Sequence, residues 1–287
     1  MRCEMERAAI DYESFGSGIP LVVLHGMPLD RHASMHEFEP ILSARAGWRR
    51  IYPDLPGHGR SPAAARITTP DELLSVLAEF VTATLGDARF VLAGTSFGAY
   101  LARGLVHLLG DRVDGVCLNV PAIVRDPSGT RARRVILADE AAITAQSREP
   151  GWAWYGELAV ADSAANRAYG VAVNEATVDD AYLGALHGPM TLSSFEAVTL
   201  ADPFPAPALI LAGRQDGVVG YEAVWPILPS FPRATLALLD RAGHMLRGEQ
   251  PLLFTALVGE WLDRVEEWIG APPGAPATGG GVERGKG

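Results

Sequence analysis

The chain reads as an α/β protein, a mostly parallel, doubly wound sheet with an inserted helical cap. Three observations predict this. Short, continuously apolar runs recur with helix-spaced segments between them, the pattern of parallel strands buried on both faces. That alternation stops at Pro121 and resumes after Pro203. Glycines, prolines and polar residues of catalytic type fall at the C-terminal ends of the apolar runs, where sites in such sheets form. The 287 residues accordingly divide into a core at 1–120 and 204–269, a helical cap insertion at 121–203, and a Pro/Gly-rich tail at 270–287 that is expected to be disordered.

Residues 3–15 predict two short strands ahead of a Gly16-Ser17-Gly18 turn. Leu21-Val22-Val23-Leu24 predicts a fully buried strand, ending in His25-Gly26-Met27-Pro28. A helix is expected over 31–46 and a strand over 50–53. The strand is closed by Asp54-Leu55-Pro56-Gly57-His58-Gly59-Arg60-Ser61, too rich in Gly and Pro for regular structure. Thr69-Pro70-Asp71-Glu72 predicts a helix start: a threonine cap, proline at the first position and glutamate three residues after the cap. Leu73, Leu74, Leu77, Phe80, Val81 and Leu85 then share one face. Residues 89–93 predict a strand, and the helix after it places Leu101, Leu105, Leu108 and Leu109 on one side. Another strand is expected over 113–120. The stretch 121–203 is Ala-rich and helical in pattern, with a cluster of Trp152, Trp154 and Tyr155. Beyond it come a strand at 208–212, a helix at 221–228 and a strand at 235–239. A last helix at 251–269 has Leu252, Leu253, Leu257, Val258, Trp261 and Leu262 as its buried side.

A hydrophobic content of 48% with 20% charged residues fits a globular chain with a sizeable core. The formal charge of −10 argues against nucleic acid as a partner and gives no attraction to an anionic membrane. Only Cys3 and Cys117 are present, too few to staple a domain this size, which suits a reducing compartment. The charged N-terminus lacks the apolar core of a signal peptide, and no apolar run approaches a membrane span. A soluble cytoplasmic protein is expected.

The run Phe90 to Ala93 leads into Gly94-Thr95-Ser96-Phe97-Gly98 and then a helix of small residues. Strand, Gly-x-Ser-x-Gly and helix in that order present a serine oxygen at a sharp turn. A serine hydroxyl needs a base to take its proton, and the base needs a third group to orient it. Asp216 follows the strand at 208–212 and His244 follows the strand at 235–239, so Ser96, Asp216 and His244 complete the set in the chain order expected of such a turn. Asp240 is a local competitor for the acid role. After the strand ending at Val120, Asn119 cannot serve and Asp126 lies several residues away.

At these residues the sequence resembles the α/β-hydrolase superfamily, in its cap-bearing branch of esterases, lactonases and C–C bond hydrolases. The resemblance spans roughly residues 5–268. It implies that the His-Gly-x-Pro loop supplies one oxyanion-hole amide, that of Met27, and that Phe97 supplies the other. The run from Asp54 to Ser61 is a structural hallmark of the same superfamily. The resemblance further implies that Ser96 attacks an acyl carbonyl, His244 moves the proton and Asp216 holds the imidazole, with no cofactor. Epoxide hydrolases and haloalkane dehalogenases of the superfamily carry Asp at this turn, so Ser96 argues against both.

The implied activity is hydrolysis of a small or medium carboxylic ester or lactone, with a small-molecule acyl compound as substrate. A C–C hydrolase, perhydrolase or aminopeptidase would use the same triad, and a non-catalytic ligand receptor would use the same scaffold. Met27 stands where a proline iminopeptidase usually has glycine. Trp152, Trp154 and Tyr155 are candidates for lining a substrate pocket, although a small cap also needs aromatics to hold itself together. His25 and His58 read as scaffold residues. His32 and His36 share a helix face, but without an HExxH pattern or third ligand no metal site is expected.

Overall fold

The computed structural model describes residues 1–123, 148, 170, 175–187 and 202–270. Eight strands form one sheet: β1 (Arg2–Glu4), β2 (Ala9–Phe15), β3 (Ile19–Leu24), β4 (Trp48–Pro53), β5 (Phe90–Thr95), β6 (Val113–Asn119), β7 (Ala208–Gly213) and β8 (Ala234–Leu239). Their spatial order is β1-β2-β4-β3-β5-β6-β7-β8. The β1–β2 and β2–β4 pairs are antiparallel and all the others parallel.

The apolar runs form central strands because every residue has a face to bury against. In β3, Val22 and Leu24 join one core cluster while Leu21 and Val23 join the other. β5 divides in the same way, with Leu92 on one side and Val91 and Ala93 on the opposite side. The first cluster packs beneath α2 (Pro70–Leu85) and α3 (Phe97–Leu109), the second beneath α1 (Arg31–Leu42) and the last long helix. The predicted start of α2 is present as a full capping box. Thr69 Oγ1 accepts the Glu72 N–H and the Glu72 carboxylate accepts the Thr69 N–H.

Four expectations are corrected. Helix α1 stops at Leu42, four residues short of position 46. The helix expected over 221–228 is a 3-10 helix, Glu222–Ser230; Pro226 and Pro229 lack the N–H groups that α-helical pairing there would need. Leu108 is 48% exposed, so the buried side of α3 is carried by Leu101, Leu105 and their neighbours. After a one-turn helix α5 (Leu246–Glu249), the long α6 (Pro251–Gly270) buries Phe254, Val258, Trp261, Leu262 and Val265. At about 100° per residue, Leu252 and Leu253 fall outside that stripe, and they are 86% and 48% exposed.

Within 121–203, the stretch expected to form a cap, the described residues include one helix, α4 (Asp180–His187). It lies against the 54–61 loop, where Gly59 N–H donates to Thr177 O at 2.7 Å and Asp179 N–H to Gly57 O at 2.8 Å. Trp152, Trp154, Tyr155 and the tail beyond 270 lie outside the described residues. Among the described residues no helix is long and apolar enough to cross a membrane.

Two packing contacts position the site. Trp261 of α6 is fully buried and its Nε1–H donates to Pro207 O at 3.2 Å. Truncation to alanine is expected to cost about 3–5 kcal/mol in urea unfolding. Helix α3 starts tight against β3: a Cβ on Gly98 would stand 2.2 Å from Leu24 O and 2.6 Å from His25 O. Neither carbonyl can move without moving its strand. Gly98→Ala is therefore expected to destabilise by about 1–3 kcal/mol, measured in the same way.

Candidate active site

The sheet order brings the C-terminal ends of β3, β5, β7 and β8 to one edge, and each delivers a predicted residue there. Ser96 follows β5 directly and has φ 55°, ψ −115°. That left-handed conformation is costly for a non-glycine residue, by about 1–3 kcal/mol, and the surroundings hold it. Ser96 N–H donates to Asn119 O at 2.9 Å, while Ser96 O accepts from Tyr100 N–H at 3.1 Å and Ala122 N–H at 3.2 Å. A Cβ on Gly94 would lie 2.4 Å from Gly98 O, so the turn can close only with glycine at that position. Ser96 occupies the cap position of α3, yet its hydroxyl makes no capping hydrogen bond. The oxygen is not spent on the helix it starts.

Asp216 and His244 come together as predicted. His244 Nδ1–H donates to Asp216 Oδ2 at 2.8 Å. The second oxygen, Oδ1, accepts from Val218 N–H at 2.8 Å and Val219 N–H at 3.0 Å. Both side chains are buried. Their loops are laced together by Gln215 N–H donating to Ala242 O and Arg214 N–H to Leu239 O, each at 2.8 Å. With Nδ1 committed to the carboxylate, Nε2 is the nitrogen that can take a proton.

Electrostatics fixes the charge states. Burial by itself would push the His244 value down. The charge and hydrogen bond of Asp216, with smaller contributions from Glu37 and Glu249, lift it above the ordinary 6.5. Burial would raise Asp216, but His244 and the two backbone N–H groups hold its carboxyl below the usual range. Asp240, the competing acid, is exposed at the end of β8. Asn119 is buried and donates to Thr95 Oγ1 at 3.1 Å.

The loop after β3 lies beside the serine: a Cβ on Gly26 would come 3.3 Å from Ser96 Cβ. Met27, joined to Pro28 by a cis peptide bond, follows Gly26, and Phe97 provides the first amide of α3. His25 is fully buried with both nitrogens engaged. Its Nδ1–H donates to Gly26 O at 2.8 Å and its Nε2 accepts Leu55 N–H at 2.9 Å. Burial, then the neighbouring His58, keeps it well below the ordinary histidine value. His25 is thus a neutral brace between the loops that follow β3 and β4. His58 stands 5.0 Å from it, ring to ring, and its Nδ1–H donates to Pro56 O at 3.0 Å. His32 is half-exposed and 3.1 Å from Asp30 Oδ1. Sequence reasoning missed Glu37, a buried acid on α1 whose Oε2 accepts from Thr95 Oγ1. The available signal was a charged residue at an inward helical spacing, four residues after Ala33 and three after Ser34.

The chain is 42% identical over 86 residues to "Lipase LipV" of Mycobacterium tuberculosis, a stretch covering 30% of this chain and 31% of the lipase. The match thus spans about a third of that relative's length. The structure is similar to an alpha/beta superfamily hydrolase of Oenococcus oeni PSU-1, with TM-score 0.81 and 26% identity, covering 93% of this chain and 99% of the other. It shares its fold with a thermophilic esterase of Thermogutta terrifontis, with TM-score 0.67 and 23% identity over 92% of this chain and 99% of the esterase. The alpha/beta hydrolase fold family profile matches residues 19–251, and the chain belongs to that family.

Proposed function

We propose that the chain is a cytoplasmic, cofactor-independent serine hydrolase that cleaves a small or medium carboxylic ester or lactone through an acyl-enzyme on Ser96. The observation that carries this reading is the buried His244–Asp216 pair at 2.8 Å, on the same sheet edge as a serine held in a left-handed turn with its hydroxyl unspent on capping. Similarity to a lipase and an esterase favours an acyl ester over other bonds.

In this reading Ser96 Oγ attacks the acyl carbonyl while His244 Nε2 accepts its proton. Asp216 keeps Nδ1 protonated and stabilises the imidazolium. The carbonyl oxygen becomes negative and takes the N–H groups of Met27 and Phe97, where removal of one donor typically costs about 3 kcal/mol of transition-state stabilisation. His244 returns its proton to the leaving oxygen. Water, deprotonated in turn by His244, releases the acid and restores Ser96. The 121–203 insertion acts as the cap that excludes bulk water and sets substrate shape.

Two measurements test this. A fluorophosphonate probe is expected to label the wild type but not Ser96→Ala, and Ser96→Ala is expected to lower turnover of aryl esters and lactones on the order of 10⁶-fold. Turnover that survives the substitution overturns the mechanism. The base acts only when neutral, and its value lies above 6.5, so kcat/KM is expected to rise with pH through a midpoint above 6.5. In Asp216→Asn that midpoint moves to lower pH, because the imidazolium loses its chief stabilising charge. A wild-type kcat/KM that does not rise with pH contradicts the assignment of His244.

A further inference from the structure

Among the buried carboxyls that the reaction does not use, one adjoins the serine turn. Glu37 is 4% exposed on the inward face of α1. Its Oε2 accepts from Thr95 Oγ1, and Thr95 immediately precedes Ser96. The Thr95 hydroxyl in turn accepts from Asn119 Nδ2 at 3.1 Å, and Asn119 O takes the Ser96 N–H at 2.9 Å. On its other side, Glu37 O accepts from Arg247 Nε at 3.2 Å, three residues beyond His244. The Glu37 carboxylate thus reaches the turn that carries the serine, while its backbone carbonyl, which any residue there would supply, meets the segment that carries the histidine. Packing alone does not call for a carboxyl here, since an apolar side chain would fill the position without desolvating a charge.

We propose that Glu37 is a positioning residue of the serine-hydrolase site: its carboxylate holds the Ser96 turn through Thr95, and on a residue that borders the His244 segment it adds a second negative charge to the site. This rests on the reading of Ser96, Asp216 and His244 as the triad. The imidazole is influenced by Asp216 from the loop after β7, Glu37 from α1 and Glu249 from α5, and the carboxylates together outweigh burial. The same Glu37 charge raises the Cys117 thiol of β6, after burial, and opposes the burial that lowers Arg247 of α5. A negative neighbour favours the imidazolium, so removing it makes His244 release its proton at lower pH.

The test is the pH dependence of fluorophosphonate labelling, paired with an NMR titration of the His244 ring. Glu37→Gln keeps the volume and an acceptor for Thr95 but removes the charge. Its acid limb and ring titration are expected to move down together by ~0.5–1 pH unit, less than in Asp216→Asn. Glu37→Asp keeps the charge but withdraws from Thr95. Its acid limb is expected to stay in place while the maximal labelling rate falls ~10-fold. An unmoved limb and ring titration in folded Glu37→Gln, or an undiminished maximal rate in Glu37→Asp, overturns the proposal. Failure of the triad reading looks different: the wild type then does not label, and the ring titration alone decides whether Glu37 acts on His244.

Discussion

The turn between β5 and α3 exists because backbone meets backbone there with nothing between. Gly94 faces the Gly98 carbonyl, and Gly98 faces the carbonyls of Leu24 and His25, at separations that leave no room for a methyl group. This closeness brings the first turn of α3 against β3 and forces Ser96 into its left-handed conformation. Once there, Ser96 is tied by its own N–H and carbonyl to Asn119, Tyr100 and Ala122. A second contact of the same kind joins the other half of the site. A Cβ on Gly213 would stand 2.2 Å from Gly243 O, so the loops carrying Asp216 and His244 can touch. The glycines set the distances within which the side-chain chemistry operates.

The same physics explains what the sequence made legible. A motif such as Gly94-Thr95-Ser96-Phe97-Gly98 records a local steric demand, and local demands are visible in a single chain. Asp216 and His244 were legible because each follows a continuously apolar strand, and parallel strands end at one edge. The buried faces of helices were read less well. Leu252 and Leu253 are apolar but sit outside the stripe defined by Phe254, Val258 and Trp261, and only the angular position distinguishes them. Glu37 failed in the opposite direction: an acid in a helix reads as a solvated face unless the tertiary neighbours Thr95 and Arg247 are known. The prolines at 226 and 229 were visible, and their effect on the helix at that point follows from the missing N–H groups.

Two buried histidines show how partners, not burial, assign chemistry. His25 and His244 both lose water. His25 meets a carbonyl at Nδ1 and an amide N–H at Nε2, and the amide demands a lone pair, which only the neutral ring has. Burial, and then the charge that protonation would place beside His58, lower its value, and nothing negative among the described residues faces the ring to reverse this. His244 meets a carboxylate at Nδ1, and further carboxylates act on it from α1 and α5. Protonation there completes an ion pair, so the value rises. One ring is thereby fixed as a brace and the other kept able to cycle between charge states.

The brace is itself anchored by a second buried charge cluster. Leu55 N–H, which His25 accepts, follows Asp54, whose Oδ1 accepts the Arg31 N–H and whose Oδ2 accepts both Arg31 Nη1 and the Arg60 N–H. Burial raises the Asp54 carboxyl, and those donors work against it. Arg31 is 1% exposed and also donates to Asp11 of β2 at 2.7 Å. Loss of either partner would strand a charge in the interior, which typically costs about 3–5 kcal/mol. The 54–61 loop is therefore bonded to Arg31 and His25 through Asp54 and Leu55, while Thr177 and Asp179 bond to its glycines. Asp30 takes part on both sides: Oδ1 caps α1 through the His32 N–H, and Oδ2 accepts the Thr177 N–H at 3.4 Å. Asp30 thereby ties the start of α1, the helix whose Glu37 bonds Thr95 beside the serine, to the backbone at Thr177.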